Sequence, residues 1–173
     1  MLVLLPLLLA SPEVRAEVPT DCGEVQPTVP DFQLPDANEN SATFGQTLGA
    51  QDFRGKTLVL YFAHASCGVC QSHAKALQEI WDEHPDWAAD TQILIVNMPG
   101  YDSYLPELVE GVQLPVLQDD DTQLVSEGYG AYKWYIYFVD DGGTLRWLHY
   151  DLSLTGSEAE RFVLEVEQLR AEP

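Results

Sequence analysis

Cys67 and Cys70 stand two residues apart, directly after the apolar run Leu58-Val59-Leu60-Tyr61-Phe62-Ala63 and directly before a helical pattern. That placement sets their chemistry. At a strand-to-helix turn the first sulfur lies at a helix N-terminus, where free backbone N–H groups and the positive end of the helix dipole favour a thiolate over a thiol. The second sulfur lies one turn further in, within reach to close a small disulfide ring or to attack a mixed disulfide. The pair therefore reads as a redox-active dithiol.

Two histidines flank it. His64, at the end of the apolar run, carries a favourable charge for the Cys67 thiolate when protonated. The intervening Gly68-Val69 carry none, and a formal net charge of −20 acts in the opposite direction. His64, Cys67, Cys70 and His73 also form an evenly spaced set of zinc- or copper(I)-type ligands. Successive members of 67, 70 and 73 step around a helix by about 60°, which turns His73 away from Cys67. A copper- or zinc-handling module is thus the alternative reading, and the leading one needs no metal and no cofactor.

The elements that must position these residues follow from patterning. An extended piece at 30–35, bracketed by prolines, is followed by turn residues at 38–51. The turn Phe53-Arg54-Gly55-Lys56 feeds a strand at 57–63. From Cys70, Ala74, Leu77, Ile80 and Trp81 recur at helical spacing, and His84-Pro85 ends the helix. Ile93-Leu94-Ile95-Val96 has the length and continuity of a buried parallel strand. Residues 104–109 suit a short helix and 114–117 an extended segment that ends in Asp119-Asp120-Asp121. Tyr135–Val139 and Leu145–Tyr150 form a hairpin around Asp141-Gly142-Gly143. Ser157 is placed to cap a final helix with Phe162, Val163, Val166 and Leu169 inward. Strand–helix–strand, hairpin, helix is an α/β sandwich with a mixed sheet.

The bulk numbers bound the rest. With 173 residues and 46% hydrophobic content the chain supports one domain with a real core. Its 28 acids against 8 bases exclude nucleic acid and anionic membrane surfaces as partners. Residues 1–16 read as a signal peptide: an apolar run at 2–10, too short to span a bilayer, precedes small residues at Val14 and Ala16. Export, to a periplasmic or extracellular setting, is expected, with no integral span in the mature chain. Residues 17–30, rich in proline, read as a flexible lead-in and 31–173 as the domain. With Cys67 and Cys70 paired, Cys22 is left over, free or in an intermolecular disulfide.

Five segments in order, Pro30-Asp31-Phe32-Gln33-Leu34-Pro35, Phe53-Arg54-Gly55-Lys56, Tyr61 to Cys70, Leu114 to Asp119 and Tyr137-Phe138-Val139-Asp140 leading to Gly143, resemble the redoxin branch of the thioredoxin superfamily. That group holds exported thiol–disulfide oxidoreductases and peroxiredoxins of the AhpC/TSA kind, and the resemblance covers roughly residues 30–170. It implies a thioredoxin-like three-layer α/β/α sandwich around a central mixed β-sheet. It implies that Cys67 is the exposed nucleophile and Cys70 the resolving thiol, and that the partners are protein thiols or disulfides and an upstream redox protein. A peroxidase is a further alternative within the branch, but the position three before Cys67, where that chemistry wants threonine or serine, is His64.

The departures locate what is particular to this chain. The slot of the usual cis-proline falls on Trp134 or Tyr135, and a trans peptide is expected there. The substrate groove is then formed by Ser66, Gly68, Val69, Trp134 and Tyr135, with Ser66 standing where a tryptophan is usual. Tyr61 replaces the buried carboxylate or amide of the central strand, which removes one proton acceptor for Cys70, and Lys75 occupies the place of the helix-kinking proline. The aromatic series Tyr129, Tyr132, Trp134, Tyr135, Tyr137 fits a binding platform less well than a sheet packed on both faces.

Overall fold

The computed structural model describes residues 28–172. The expectations for the signal peptide, most of the lead-in and Cys22 lie outside the described residues. Elements in chain order are β1 (Leu34–Pro35), β2 (Thr47–Leu48), a 3-10 turn (Ala50–Phe53), β3 (Thr57–Ala63), α1 (Gly68–Glu83), a 3-10 turn (Pro85–Ala89) and β4 (Thr91–Asn97). A further 3-10 turn (Asp102–Tyr104) leads into α2 (Leu105–Val109), followed by β5 (Val116–Gln118), α3 (Val125–Gly128), β6 (Tyr135–Val139), β7 (Leu145–Tyr150) and α4 (Ser157–Ala171).

The central sheet has the order β5-β4-β3-β6-β7, with β4 parallel to β3 and β5, and β6 antiparallel to β3 and β7. This is the mixed sheet of a thioredoxin-like fold. All seven residues of β3 are buried, as a continuous apolar run covered on both faces must be. Side chains alternate between two cores. Val59, Tyr61, Ile93, Ile95, Ile136 and Phe138 face Cys70, Ala74, Leu77 and Ile80 of α1 and Phe162, Val166 and Leu169 of α4. Leu58, Leu60, Phe62, Leu94, Val96 and Tyr137 face Phe32, Leu34, Leu48 and Val125. The helical layer on that second face is thin, a four-residue α3 supplemented by the N-terminal segments.

Three local features differ from the sequence expectation. Leu34 and Pro35, in the piece read as extended, pair with Leu48 and Thr47, which lie in a region that read as turns. Helix α3 was unread because its cap is remote: buried Asp119 accepts the N–H groups of Val125 and Ser126 at 3.0 and 2.8 Å. The N-cap of α4 is Gly156, at φ +55°, with no side-chain cap bond, and Ser157 is the first helical residue. Glycine suits that left-handed backbone. The chain is also tied to the domain as early as Thr28, which bridges Thr144, with Val29 N–H donating to the Gly143 carbonyl at 3.0 Å. Among the described residues no helix is long and apolar enough to cross a membrane.

Candidate redox site

Strand β3 leads straight to the cysteines, and the turn between them is fixed from two sides. Asn97, buried at the end of β4, accepts the Ala65 N–H on Oδ1 at 2.9 Å and donates from Nδ2 to Gln118 Oε1 at 2.7 Å. Gln71, on the first turn of α1, donates to the Ala65 carbonyl at 2.8 Å. Cys67 N–H closes the turn onto the His64 carbonyl at 2.8 Å. Cys67 is then the N-cap of α1, in extended conformation, and the first turn of the helix carries no acidic residue to compete with a thiolate. Sequence reasoning passed over Asn97 and Gln71; the only signal for Asn97 was a polar residue closing an apolar strand.

The two thiols are unequal. Cys67 is partly exposed, between the exposed Ser66 and Gly68-Val69, whereas Cys70 is buried; both are free thiols. Burial pushes the Cys67 thiol up, but it is outweighed by groups that favour the thiolate: the Cys70 backbone N–H, the Cys70 thiol, the Trp134 indole and the Val69 N–H. The net direction is below the ordinary thiol value. Cys70 is pushed up to about 11, first by burial; the His64 N–H, which donates to its sulfur at 3.4 Å, and the Tyr61 hydroxyl oppose that rise in part.

Trp134 is brought over the pair by the chain before β6. Its backbone N–H donates to the Phe62 carbonyl at 2.9 Å, and its φ is +78°, a left-handed backbone held by a bulky residue. No cis peptide occurs among the described residues. The Trp134 indole Nε1 is buried without a hydrogen-bond partner. It lies close enough to Cys67 to favour the thiolate without meeting hydrogen-bond geometry. A neutral thiol is a weak acceptor, and a thiolate is the partner this donor lacks. Tyr135, the next residue, turns to the opposite face of the sheet and packs edge-to-face on Tyr150, centroids 4.6 Å apart. Trp134, just before β6, is thus packed on the site's side of the sheet and Tyr135, the first residue of β6, in the second core.

Lys133, unremarked in the sequence, stands beside the site. Its ammonium lies 4.8 Å from the Trp134 ring centroid and 5.9 Å from that of Tyr132. It also bears on His64, whose imidazole is pushed below its ordinary value by burial and then by the Lys133 charge. The His64 ring hydrogen-bonds Ser66 Oγ through Nδ1 at 3.0 Å and packs on Tyr101. Its contact with the dithiol is made by the backbone. His73 is buried and hydrogen-bonds the Tyr61 hydroxyl through Nδ1 at 3.3 Å. The set His64, Cys67, Cys70, His73 is thus not gathered: among the described residues no three His, Cys, Asp or Glu side chains are grouped to hold a metal ion.

The sequence model of the AhpC/TSA family matches residues 25–148. The chain belongs to the AhpC/TSA family. No curated protein matches the sequence. Among solved structures, this AhpC/TSA member is similar to a candidate thiol:disulfide interchange protein DsbE from Chlorobium tepidum, at 17% identity and TM-score 0.68 over 84% of this chain and 97% of that one. It is also similar to a secreted Mycobacterium tuberculosis disulfide oxidoreductase homologous to E. coli DsbE, at 18% identity and TM-score 0.62 over 80% and 96%. A third similar structure is Bradyrhizobium japonicum ScoI with copper bound, at 17% identity and TM-score 0.63 over 83% and 98%. At such identities the likeness establishes the thioredoxin-like fold.

Proposed function

We propose that this AhpC/TSA member is an exported thiol–disulfide oxidoreductase that exchanges a Cys67–Cys70 dithiol/disulfide with protein thiols and is itself reset by an upstream redox partner. The observation that carries this reading is the inequality of two adjacent thiols: an accessible Cys67 whose thiolate is favoured, and a buried Cys70 whose thiol is kept protonated. In the reducing direction the Cys67 thiolate attacks a substrate disulfide, forms a mixed disulfide and expels one substrate thiolate. Cys70, once deprotonated, attacks the Cys67 sulfur, expels the second substrate thiolate and closes the ring. Two electrons pass from the dithiol to the substrate, and the reverse sequence oxidises a dithiol.

Ser66, Gly68, Val69 and Trp134 rim Cys67, and the exposed side chains of Val69 and Tyr132 offer apolar surface to an extended polypeptide. On this reading residues 1–16 direct export, consistent with the secreted similar protein, and 31–173 are the working domain. The copper-handling alternative draws on the copper-bound similar structure, but the rings of His64 and His73 are engaged with Ser66 and Tyr61.

The deciding experiment is the redox titration of the Cys22→Ser protein in glutathione and dithiothreitol buffers. A reversible two-electron Cys67–Cys70 transition is expected, and its potential assigns the direction of exchange. The absence of any reversible transition overturns the proposal.

A further inference from the structure

Cys70 must lose a proton before it can attack, and burial makes that loss hard. Its sulfur shares a core cluster with Tyr61, fully buried on the middle strand and close enough for its hydroxyl to favour the Cys70 thiolate, and that hydroxyl meets His73 Nδ1 at 3.3 Å. His73 follows Cys70 by three residues on the same buried face of α1. The opposite ring nitrogen, Nε2, has no hydrogen-bond partner among the described residues. A buried tyrosine and histidine, joined to each other beside the resolving thiol, form a connected path from the sulfur to an imidazole.

We propose that His73 takes the proton of Cys70 through the Tyr61 hydroxyl, so that Cys70, Tyr61 and His73 are the proton path of the exchange. The inference rests on the exchange reading given above. In the resting dithiol, Tyr61 O–H donates to His73 Nδ1 and its oxygen accepts from Cys70 S–H. As Cys70 attacks the mixed disulfide, its proton moves to the Tyr61 oxygen and the phenolic proton moves to Nδ1. The products are a Cys67–Cys70 disulfide, an expelled substrate thiolate and an imidazolium; no net charge is left on Tyr61. Tyr61 cannot itself be the final acceptor of charge, because burial, and then the adjacent cysteine sulfurs, hold its ionisation far above the ordinary phenol range.

The His73 ring meets Tyr61 from β3, and the charge that acts on it is that of Asp151, just after β7. Burial pushes the imidazole below its ordinary value, and the Asp151 charge opposes that shift. His73 is therefore neutral, and ready to accept, across the neutral pH range. Asp151 supplies the counter-charge once the proton has arrived. The structure thus restores, from α1, the acceptor that a tyrosine on the central strand had removed.

The test is stopped-flow reaction of the reduced Cys22→Ser protein with 4,4′-dithiodipyridine. The first thiopyridone released reports attack by Cys67, and the second reports attack by Cys70. For the parent protein the second phase is expected to fall as pH drops through the His73 titration, below neutrality. In His73→Asn and Tyr61→Phe the ratio of second to first rate at pH 7 is expected to fall by about 10²-fold, the scale of general base catalysis. It should recover as pH approaches 11, where Cys70 ionises unaided. A parent second phase that is flat through the acidic range and rises only toward pH 11 overturns the relay, as do variant ratios equal to the parent's. The parent profile decides the matter even if a variant does not fold. A parent protein that releases only one thiopyridone overturns the exchange reading, and the relay with it.

Discussion

The Trp134 indole N–H is buried beside the Cys67 sulfur with no other acceptor. An unpaired buried donor is a cost in the thiol form that is recovered when the sulfur is ionised, so the pair shifts the equilibrium toward thiolate. Hydrogen bonds to charged groups contribute about 1.5–3 kcal/mol. Trp134→Phe keeps the ring and the backbone demand at φ +78° while deleting the donor. It is expected to raise the Cys67 pKa by about one unit, since a unit corresponds to about 1.4 kcal/mol. Loss of thiolate stabilisation disfavours the reduced form, so the potential moves about 30 mV more negative at pH values where Cys67 is ionised. Thiolate absorbance against pH and a redox titration of the variant check both numbers; an unchanged Cys67 pKa would remove Trp134 from the site's electrostatics.

His64 gives the contrasting expectation. A protonated imidazole next to Cys67 would be the simplest way to hold its thiolate, but burial and then Lys133 disfavour the charged ring, and the ring is turned to Ser66 and Tyr101. His64→Asn is expected to move the Cys67 pKa less than Trp134→Phe does, because the groups that favour the Cys67 thiolate, the Cys70 and Val69 N–H groups, the Cys70 thiol and the Trp134 indole, all survive the change. Lys133→Met is expected to raise the His64 pKa toward its ordinary value. Chemical-shift titration of the His64 ring in both backgrounds reads this directly.

These two residues also mark how far the sequence alone could reach. The dithiol, its strand and helix, the mixed sheet and the terminal helix were legible because each rests on a local period or a turn signal: the buried run of β3, the 3.6-residue spacing of α1, the Asp-Gly-Gly hairpin. What was not legible depends on partners far apart in the chain. Asp119 caps α3 from across a loop, and Asn97 pins Ala65 thirty-two residues away. His73 read as one member of a spaced ligand set, and only the packing of α1 on β3 gives its ring to Tyr61. Trp134 and Tyr135, taken together in the sequence, part company because the left-handed backbone at Trp134, just before β6, packs its ring in one core while Tyr135 packs in the other.

Alkaline stability separates the redox forms. The folded Cys70 thiol titrates at about 11, above the ordinary thiol value of 9.0, chiefly because it is buried. A raised pKa means that this contribution to stability is fully present below pH 9 and is lost as pH rises through 11. The disulfide form has no such thiol. The reduced Cys22→Ser protein is therefore expected to lose thermal stability between pH 9 and 11 more steeply than the oxidised protein, measured by thermal unfolding at stepped pH. Burial also raises Tyr129 and Tyr137 above the usual phenol range. Those groups are present in both redox forms and cancel in the comparison. Parallel curves would show that Cys70 is not held protonated by the fold.

Asn97 links the end of β4 to the turn that presents Cys67. Its Oδ1 is the acceptor for Ala65 N–H and its Nδ2 the donor to Gln118 Oε1, and both Asn97 and Ala65 are fully buried. Asn97→Ala leaves the Ala65 donor without a partner in a place water does not reach, a cost of about 1–3 kcal/mol. For a domain of this size about 2 kcal/mol corresponds to a fall in Tm of roughly 4–8 °C. The backbone before Cys67 would then be held by Gln71, the His64 carbonyl and the His64 N–H on Cys70 Sγ, so its alignment with Trp134 slackens. The variant is expected to lose stability by that amount and to show a raised Cys67 pKa as well. Urea unfolding and thiolate titration on one sample measure both; a loss of stability with the Cys67 pKa unmoved would assign Asn97 to the scaffold and not to the geometry of the site.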